Sequence, residues 1–412
     1  MNERRVVVTG LGAITPIGNN VPDFWANLIA GKSGVSRITL FDPSLLDSQI
    51  AGEVKHFEPT ERIPVKESRR MERFTQLAVW AGLEAWQDAG LKAETIDPER
   101  CGVIIGSGIG SLQIVEKCQS LWEKFGTKKF SPFMIPMLII NMASGWLSIL
   151  LGLKGPNFAV VTACATGSHS IGEAFRVIQR GEADVMLAGG AECALTPLGV
   201  GGFCSMKALS RRNDDPEGAS RPFDKERDGF VIGEGAGIVV LEEMERAKAR
   251  GAHVYAELIG FSMTGDAYHM TAPEPNGDGA RRAIELALKD AKVNPEDIGY
   301  VNAHGTSTAL NDKIETLAMK AAFKEHAKKL QVSSTKSMTG HLLGAAGGVE
   351  FVACAKSVET GVLHPTINLN HPDPECDLDY IPNTARKSNA NVVMSTALGF
   401  GGHNTCLVLR KF

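Results

Sequence analysis

The chain has 412 residues, of which 43% are hydrophobic and 22% charged, with 44 glycines and a formal net charge of −4. That length exceeds one small core and suits two fused halves, and the slight acidity lacks the broadly basic footprint of a nucleic-acid binder. Eight cysteines without a C-x-x-C pair predict reduced thiols in a cytoplasmic protein rather than a disulfide framework.

The N-terminus enters a strand at residues 5–9, which leaves no room for a signal or transit peptide. Further β-branched runs at 102–106, 159–162, 183–189, 238–242, 300–302, 331–334 and 405–409 alternate with helical stretches. The alternation predicts α/β layering around largely buried sheets. Gly10-Leu-Gly12 and Gly106-Ser-Gly108 lack the third glycine of a dinucleotide fingerprint, so NAD binding is not expected.

Lys66, Arg69, Arg70 and Arg73 recur at i, i+3, i+4 and i+7, which predicts one helical face. Met71, Phe74, Ala78 and Ala85 are expected on a buried neighbouring face. More basic residues follow at Lys128-Lys129, Lys207 and Arg211-Arg212. Such stripes are commonly solvated faces, but against an acidic balance they also suit an acidic partner. The most apolar run, 133–153, is broken by Pro136, Asn141 and Ser144, which predicts a buried helix and no membrane span. Segments 111–133 and 197–228 interrupt the αβ rhythm and read as insertions.

Ala163-Cys-Ala-Thr-Gly167 follows a β-branched strand and opens a small-residue helix. A thiol there feels the positive end of the helix, which favours thiolate, and its own N–H can serve an oxyanion. Cys164 is therefore the candidate nucleophile. His304, in Asn302-Ala-His-Gly-Thr-Ser-Thr308, and His341, in Lys336-Ser-Met-Thr-Gly-His-Leu-Leu-Gly-Ala-Ala-Gly347, lie in glycine-flanked turns. A weak internal repeat links a strand at 158–162, a helix ending near Gly181 and a strand at 184–188 with a strand at 330–334 and a helix ending near Gly361. Both helices stop where a left-handed glycine is expected. Near the C-terminus, Gly399-Phe-Gly-Gly-His-Asn404 is a turn dense enough in glycine to reach conformations closed to other residues.

These motifs together resemble the β-ketoacyl-[acyl-carrier-protein] synthases, and the resemblance runs from Val6 to the last few residues. It implies a thiolase-like α/β fold, with two pseudo-symmetric halves in αβαβα layers and a boundary near residue 255 (1–255 and 256–412). It also implies elongating type II chemistry, in which Cys164 carries an acyl chain and malonyl carrier protein loses CO₂ and attacks it. Two neutral imidazole N–H groups, from His304 and His341, would stabilise the enolate better than one.

By the same resemblance, Lys336 and Glu350 form a supporting ion pair, and Asp312 and Glu315 hold the histidines. Phe400 gates the site and supplies a second oxyanion N–H, with the segment 264–273, including Thr271, moving beside it. Thr306 and Thr308 contact the phosphopantetheine arm, and Thr271 is a further substrate-binding residue. Ile109 floors the acyl pocket, with Phe203 and Phe230 as walls. Lys66, Arg69, Arg70, Lys128, Lys129 and Lys207 would dock acyl carrier protein. A homodimer is implied, with no metal or redox cofactor. Ala309 and Leu398 depart from a frequent proline and a frequent aromatic. The alternatives are a type I elongating synthase, a polyketide ketosynthase, a chain-length-factor-like partner subunit, and a coenzyme A thiolase with Cys406 as second cysteine.

Overall fold

The computed structural model describes residues 4–412. Ten strands carry the architecture: β1 (Val6–Ile14), β2 (Cys101–Gly106), β3 (Asn157–Phe158), β4 (Val185–Glu192), β5 (Gly235–Glu243), β6 (Ala256–Gly265), β7 (Tyr300–Asn302), β8 (Gln331–Ser333), β9 (Val392–Gly399) and β10 (His403–Arg410). Their hydrogen-bonded order is β8-β7-β9-β10-β6-β1-β5-β4-β2-β3. Each half therefore has the same five-strand order, and β1 pairs antiparallel with β6 where the halves meet.

The strand directions repeat as well. β2 runs parallel to β3 and β4, while β5 runs antiparallel to β4 and β1. In the second half β7 runs parallel to β8 and β9, while β10 runs antiparallel to β9 and β6. The helices Arg73–Asp88 and Asp278–Ala291 pack on β1 and β6 respectively, and Thr166–Gln179 packs against Ala346–Thr360 between the halves. This is the layered, duplicated α/β arrangement of the thiolase-like fold.

Glycine sets the spacing of the central layer. A Cβ on Gly167 would lie 2.6 Å from Gly348 N, so the two central helices cross backbone against backbone. The strands are buried on both faces, as β5 shows with eight of its nine residues buried, and they read as continuous apolar runs rather than alternating ones.

Several expected elements are placed differently. The strand expected at 159–162 is the two-residue β3 just before it, and the strand expected at 183–189 is shifted to Val185–Glu192. The apolar run 133–153 folds as two helices, Met134–Leu138 and Met142–Leu151, not one buried helix. Ile135 and Ile149 on it are 59% and 65% exposed. The basic stripe is also split. A short helix, Val65–Ser68, precedes Arg73–Asp88, and Arg73 turns inward to a bidentate pair with buried Glu234 at 2.6 Å. Met71, Phe74, Ala78 and Ala85 are buried as expected. No helix among the described residues is long and apolar enough to cross a membrane.

Candidate active site

The candidate residues gather at the carboxyl ends of the parallel strands and at the starts of the two central helices. In open α/β sheets this is where loops from several strands converge. Cys164 sits in a 3-10 turn, Ala163–Ala165, that leads into the helix Thr166–Gln179. Ala163 is held at φ +50°, which turns the chain sharply before the thiol. Gly399 presses against this turn, since a Cβ there would lie 3.2 Å from Cys164 N.

The thiol is buried, and burial pushes it up to about 12; the Lys336 charge and the Phe400 N–H act in the opposite direction. Loss of solvation thus opposes the helix terminus, which favours thiolate.

His304 follows β7, and its backbone is clamped from below. His304 N–H and Gly305 N–H donate to the two oxygens of Glu315 at 2.7 and 2.8 Å. Thr306 N–H donates to Asp312 at 2.9 Å, and Phe223 N–H donates to the other Asp312 oxygen at 2.9 Å. Asp312 and Glu315 are 0% and 1% exposed, so they are buried anchors rather than a solvated face. Burial pushes the Glu315 carboxyl up to about 7 despite these donors.

Lys336 is equally buried and pairs with Glu350. Its ammonium donates to His304 O at 2.6 Å and lies 3.3 Å from His304 Nδ1. An ammonium can only donate, so His304 Nδ1 accepts and the ring proton sits on Nε2. His341 is set the same way, because Leu343 N–H donates to its Nδ1 at 3.2 Å. Both rings are driven well below the ordinary histidine range by burial and by the Lys336 charge. The result is two neutral imidazoles with Nε2–H available, their ring centres 5.3 Å apart and nearly perpendicular.

One ligating atom from each of Cys164, His304 and His341 lies within 4.8 Å of the others. The set resembles a metal site in composition. With Nδ1 of both rings engaged as acceptor, however, the Nε2 atoms carry protons and present donors rather than lone pairs.

These three groups line a cavity of about 550 Å³. Ile109, Phe203, Phe230, Thr271, Thr306, Thr308 and Phe400 line it too, and so does Lys207, which was expected on the carrier-docking surface. Phe203, Phe230 and His341 form a chain of edge-to-face contacts at 5.4 and 5.3 Å. The gate loop is tied to the segment beside it by Gly401 N–H to Met270 O at 2.8 Å and Asn404 Nδ2 to Asp266 at 2.6 Å. Gly401 and Gly402 have φ of +89° and +73°, which explains the glycine-dense turn.

Lys66, Arg69, Lys128 and Lys129 are exposed away from the cavity lining, and Arg70 stacks on Phe133 at 4.7 Å. Glu192, Leu343 and Asp266 line the cavity without having been singled out. For Glu192 a signal existed, an acidic residue closing an apolar strand after Gly-Gly-Ala.

Comparison with known proteins identifies the family. Residues 3–247 match the family described as Beta-ketoacyl synthase, N-terminal domain, and residues 255–370 match its C-terminal domain. A 3-oxoacyl-[acyl-carrier-protein] synthase 2 of Synechocystis sp. is 54% identical over 412 residues, covering 100% of this chain and 99% of the relative. The protein of that name from Coxiella burnetii is 53% identical over 411 residues, with coverage of 100% and 99%.

Among solved structures, a beta-ketoacyl synthase from Burkholderia phymatum superposes with a TM-score of 0.93 at 38% identity, covering 99% of this chain and all of that one. A ketosynthase solved in complex with a type II PKS acyl-carrier protein superposes at 0.92 and 39% identity, covering both chains fully. With both family domains matched and full-length relatives above half identity, the chain belongs to the β-ketoacyl synthase family.

Proposed function

We propose that the protein is a 3-oxoacyl-[acyl-carrier-protein] synthase of the type II elongating kind. The observation that carries this reading is the pair of neutral Nε2–H histidines within reach of one buried thiol. Cys164 Sγ attacks the acyl thioester of the carrier, and its proton leaves on the released pantetheine thiol. Malonyl carrier protein then loses CO₂, and the charge that develops on the enolate oxygen is stabilised by His304 and His341. The nascent carbanion attacks the Cys164 thioester, and the tetrahedral oxyanion is held by the N–H groups of Cys164 and Phe400. Collapse releases a 3-oxoacyl thioester two carbons longer and a Cys164 thiolate. Burial of the thiolate drives it to take up a proton, which resets the site. Lys336, Glu350, Asp312 and Glu315 hold the geometry, and Thr271, Thr306 and Thr308 line the pantetheine path. No metal or redox group enters these steps.

Relatives above half identity are named 3-oxoacyl-[acyl-carrier-protein] synthase 2, whereas the ketosynthase in complex with a type II PKS carrier is 39% identical. This favours fatty-acid elongation over polyketide synthesis. Cys406 is buried in β10 beside a separate small crevice with Thr396 and Ala397, which argues against its use as a thiolase base.

The exposed Lys66, Arg69, Lys128, Lys129 and Lys207, with Arg70, are the docking surface we assign to acyl carrier protein. A homodimer is supported by a break in the pseudo-symmetry. Edge strand β8 is covered, with Val332 N–H donating to Asp379 O at 2.8 Å. Its counterpart β3 has two exposed residues, and Trp122, Phe125, Ile135 and Ile149 are exposed apolar side chains in the same half. An open edge beside apolar surface suits pairing with a second copy. Eight cysteines outside any disulfide fit a reducing cytoplasm.

The test is intact mass after mixing with acyl carrier protein loaded with chains of graded length. Acylation of wild type but not of Cys164→Ala, then a product two carbons longer once malonyl carrier protein is added, is the expected result. An unmodified protein at every length would sink the reading.

A further inference from the structure

Glu192 is the last residue of β4, is 0% exposed, and lies beside Cys164 in the cavity wall. Its carboxylate faces four donors from two distant segments. Oε1 accepts from Ser107 Oγ at 2.6 Å and Ile109 N–H at 3.3 Å. Oε2 accepts from Gly108 N–H at 2.7 Å and Gly344 N–H at 3.1 Å. A Cβ on either Gly108 or Gly344 would lie 2.8 Å from Oε2, so both positions need glycine for this approach. The two segments are the ones that matter for the proposed chemistry. Ile109 lines the cavity, and Gly344 follows Leu343, whose N–H sets the tautomer of His341. A single carboxylate therefore spans the acyl pocket and one of the two enolate donors.

We propose that Glu192 is a positioning residue that holds the Ile109 loop and the His341 turn in one frame, so that the pocket's occupancy and the enolate site stay in register. This rests on the synthase reading above. Physically, four donors converging on one carboxylate match its acceptor capacity only when it is ionised. Burial raises its proton affinity, while the Ser107 hydroxyl and the Gly344, Gly108 and Ile109 N–H groups oppose that rise. Glu192 touches no reacting atom in this scheme, and it acts through the backbone of its neighbours.

The substitution Glu192→Gln keeps the shape but puts an NH₂ group against one pair of donors, which breaks one link. Two readouts are needed. Hydrogen exchange of the protein without substrates should quicken in both the 107–110 and the 343–346 segments relative to wild type. Condensation per acylated enzyme should fall by about tenfold or more, the scale of one buried unsatisfied donor, with an altered acyl-length profile.

Faster exchange in only one segment, or condensation within about twofold of wild type at an unchanged length profile, the range of a neutral surface change, overturns the proposal. If Glu192→Gln does not fold, Ser107→Ala removes one donor without adding repulsion and is read by the same criteria, with smaller shifts in the same direction. Wild-type acylation and condensation are run in parallel. Their failure would defeat the synthase reading, while the exchange comparison would still decide the clamp.

Discussion

Cys164 and Gly344 occupy the same place in the two halves of the fold. Each is the middle residue of a three-residue 3-10 turn that opens a central helix, and each follows a non-glycine residue in left-handed conformation, Ala163 at φ +50° and Leu343 at φ +48°. At Gly344 the turn donates its N–H to the Glu192 carboxylate. The same turn geometry therefore already binds a negative oxygen in one half, which is the task proposed for the Cys164 N–H in the other. A duplicated turn with diverged side chains places the proposed nucleophile on one side and a structural carboxylate site on the other.

Gly344→Ala tests how tightly that second turn is packed. The added Cβ would lie 2.4 Å from Gly108 N and 2.8 Å from the buried Glu192 Oε2, so backbone or a buried carboxylate must shift to admit it. The expected outcome is a loss of about 2 kcal/mol or more, typical of overpacking in a core. Denaturant unfolding measures it. Stability within experimental error of wild type would show that the turn yields.

The Lys336–Glu350 pair separates support from chemistry. Both side chains are 1% exposed. Lys336→Met strands the Glu350 carboxyl, and breaking a buried pair this way costs about 3–5 kcal/mol. The double variant Lys336→Met, Glu350→Leu should recover most of that stability, since a buried pair can be replaced by well-packed apolar groups at little cost. Condensation should nonetheless remain at least about tenfold below wild type, because His304 Nδ1 has lost its charged donor and with it a transition-state contribution. Recovery of both properties together would mean that Lys336 contributes packing alone.

The parts of this site that sequence made legible are those written into short contiguous motifs. The small residues around Cys164, His304 and His341 had to be there for backbone to approach backbone, so chemistry and spacing were readable together. β7 was expected at 300–302 and is found at Tyr300–Asn302. What stayed hidden depends on partners far along the chain. Arg73 looked like one of a basic stripe, but its partner Glu234 is 161 residues away. Glu192 meets Gly344 across 152 residues. The long strands Ala256–Gly265 and Val392–Gly399 were missed because glycine, alanine and methionine dilute their β-branched signal. The upward push of burial on the Cys164 thiol, against the local helix terminus, stayed hidden for a related reason: burial is a property of the whole fold.

Charge reversal at the assigned docking surface should act on encounter rather than on chemistry. Lys128→Glu with Lys129→Glu changes two exposed residues outside the cavity lining. Association with acyl carrier protein at low ionic strength should slow by about tenfold, with a shallower salt dependence. Acylation of Cys164 at saturating carrier should be unchanged. Stopped-flow binding over a salt series distinguishes this from an unaltered surface, whose rates would coincide with wild type at every salt concentration.

Glu84 gives the fold a pH dependence that can be isolated from the active site. It accepts the N–H groups of Val21 and Ala13 at 2.8 and 3.0 Å, in a side chain only 13% exposed. Burial raises its carboxyl from the usual 4.5 to about 7, with the two N–H donors and Arg62 opposing the rise. Between those values the Glu84 carboxyl holds a proton in the folded protein that the unfolded chain has released, so its contribution to stability falls as pH rises from 4.5 to about 7. The full effect is about 3 kcal/mol, the free energy of such a shift in proton affinity. The buried histidines act in the opposite direction, since depressed proton affinity makes stability fall as pH drops below 6.5. Only the difference between variants is therefore diagnostic. Glu84→Gln should make unfolding free energy rise more steeply, or fall less steeply, with pH across this window than wild type does, by up to one proton's worth of slope. Urea unfolding of both proteins at a series of pH values measures it, and parallel curves would place the Glu84 carboxyl in its ordinary range.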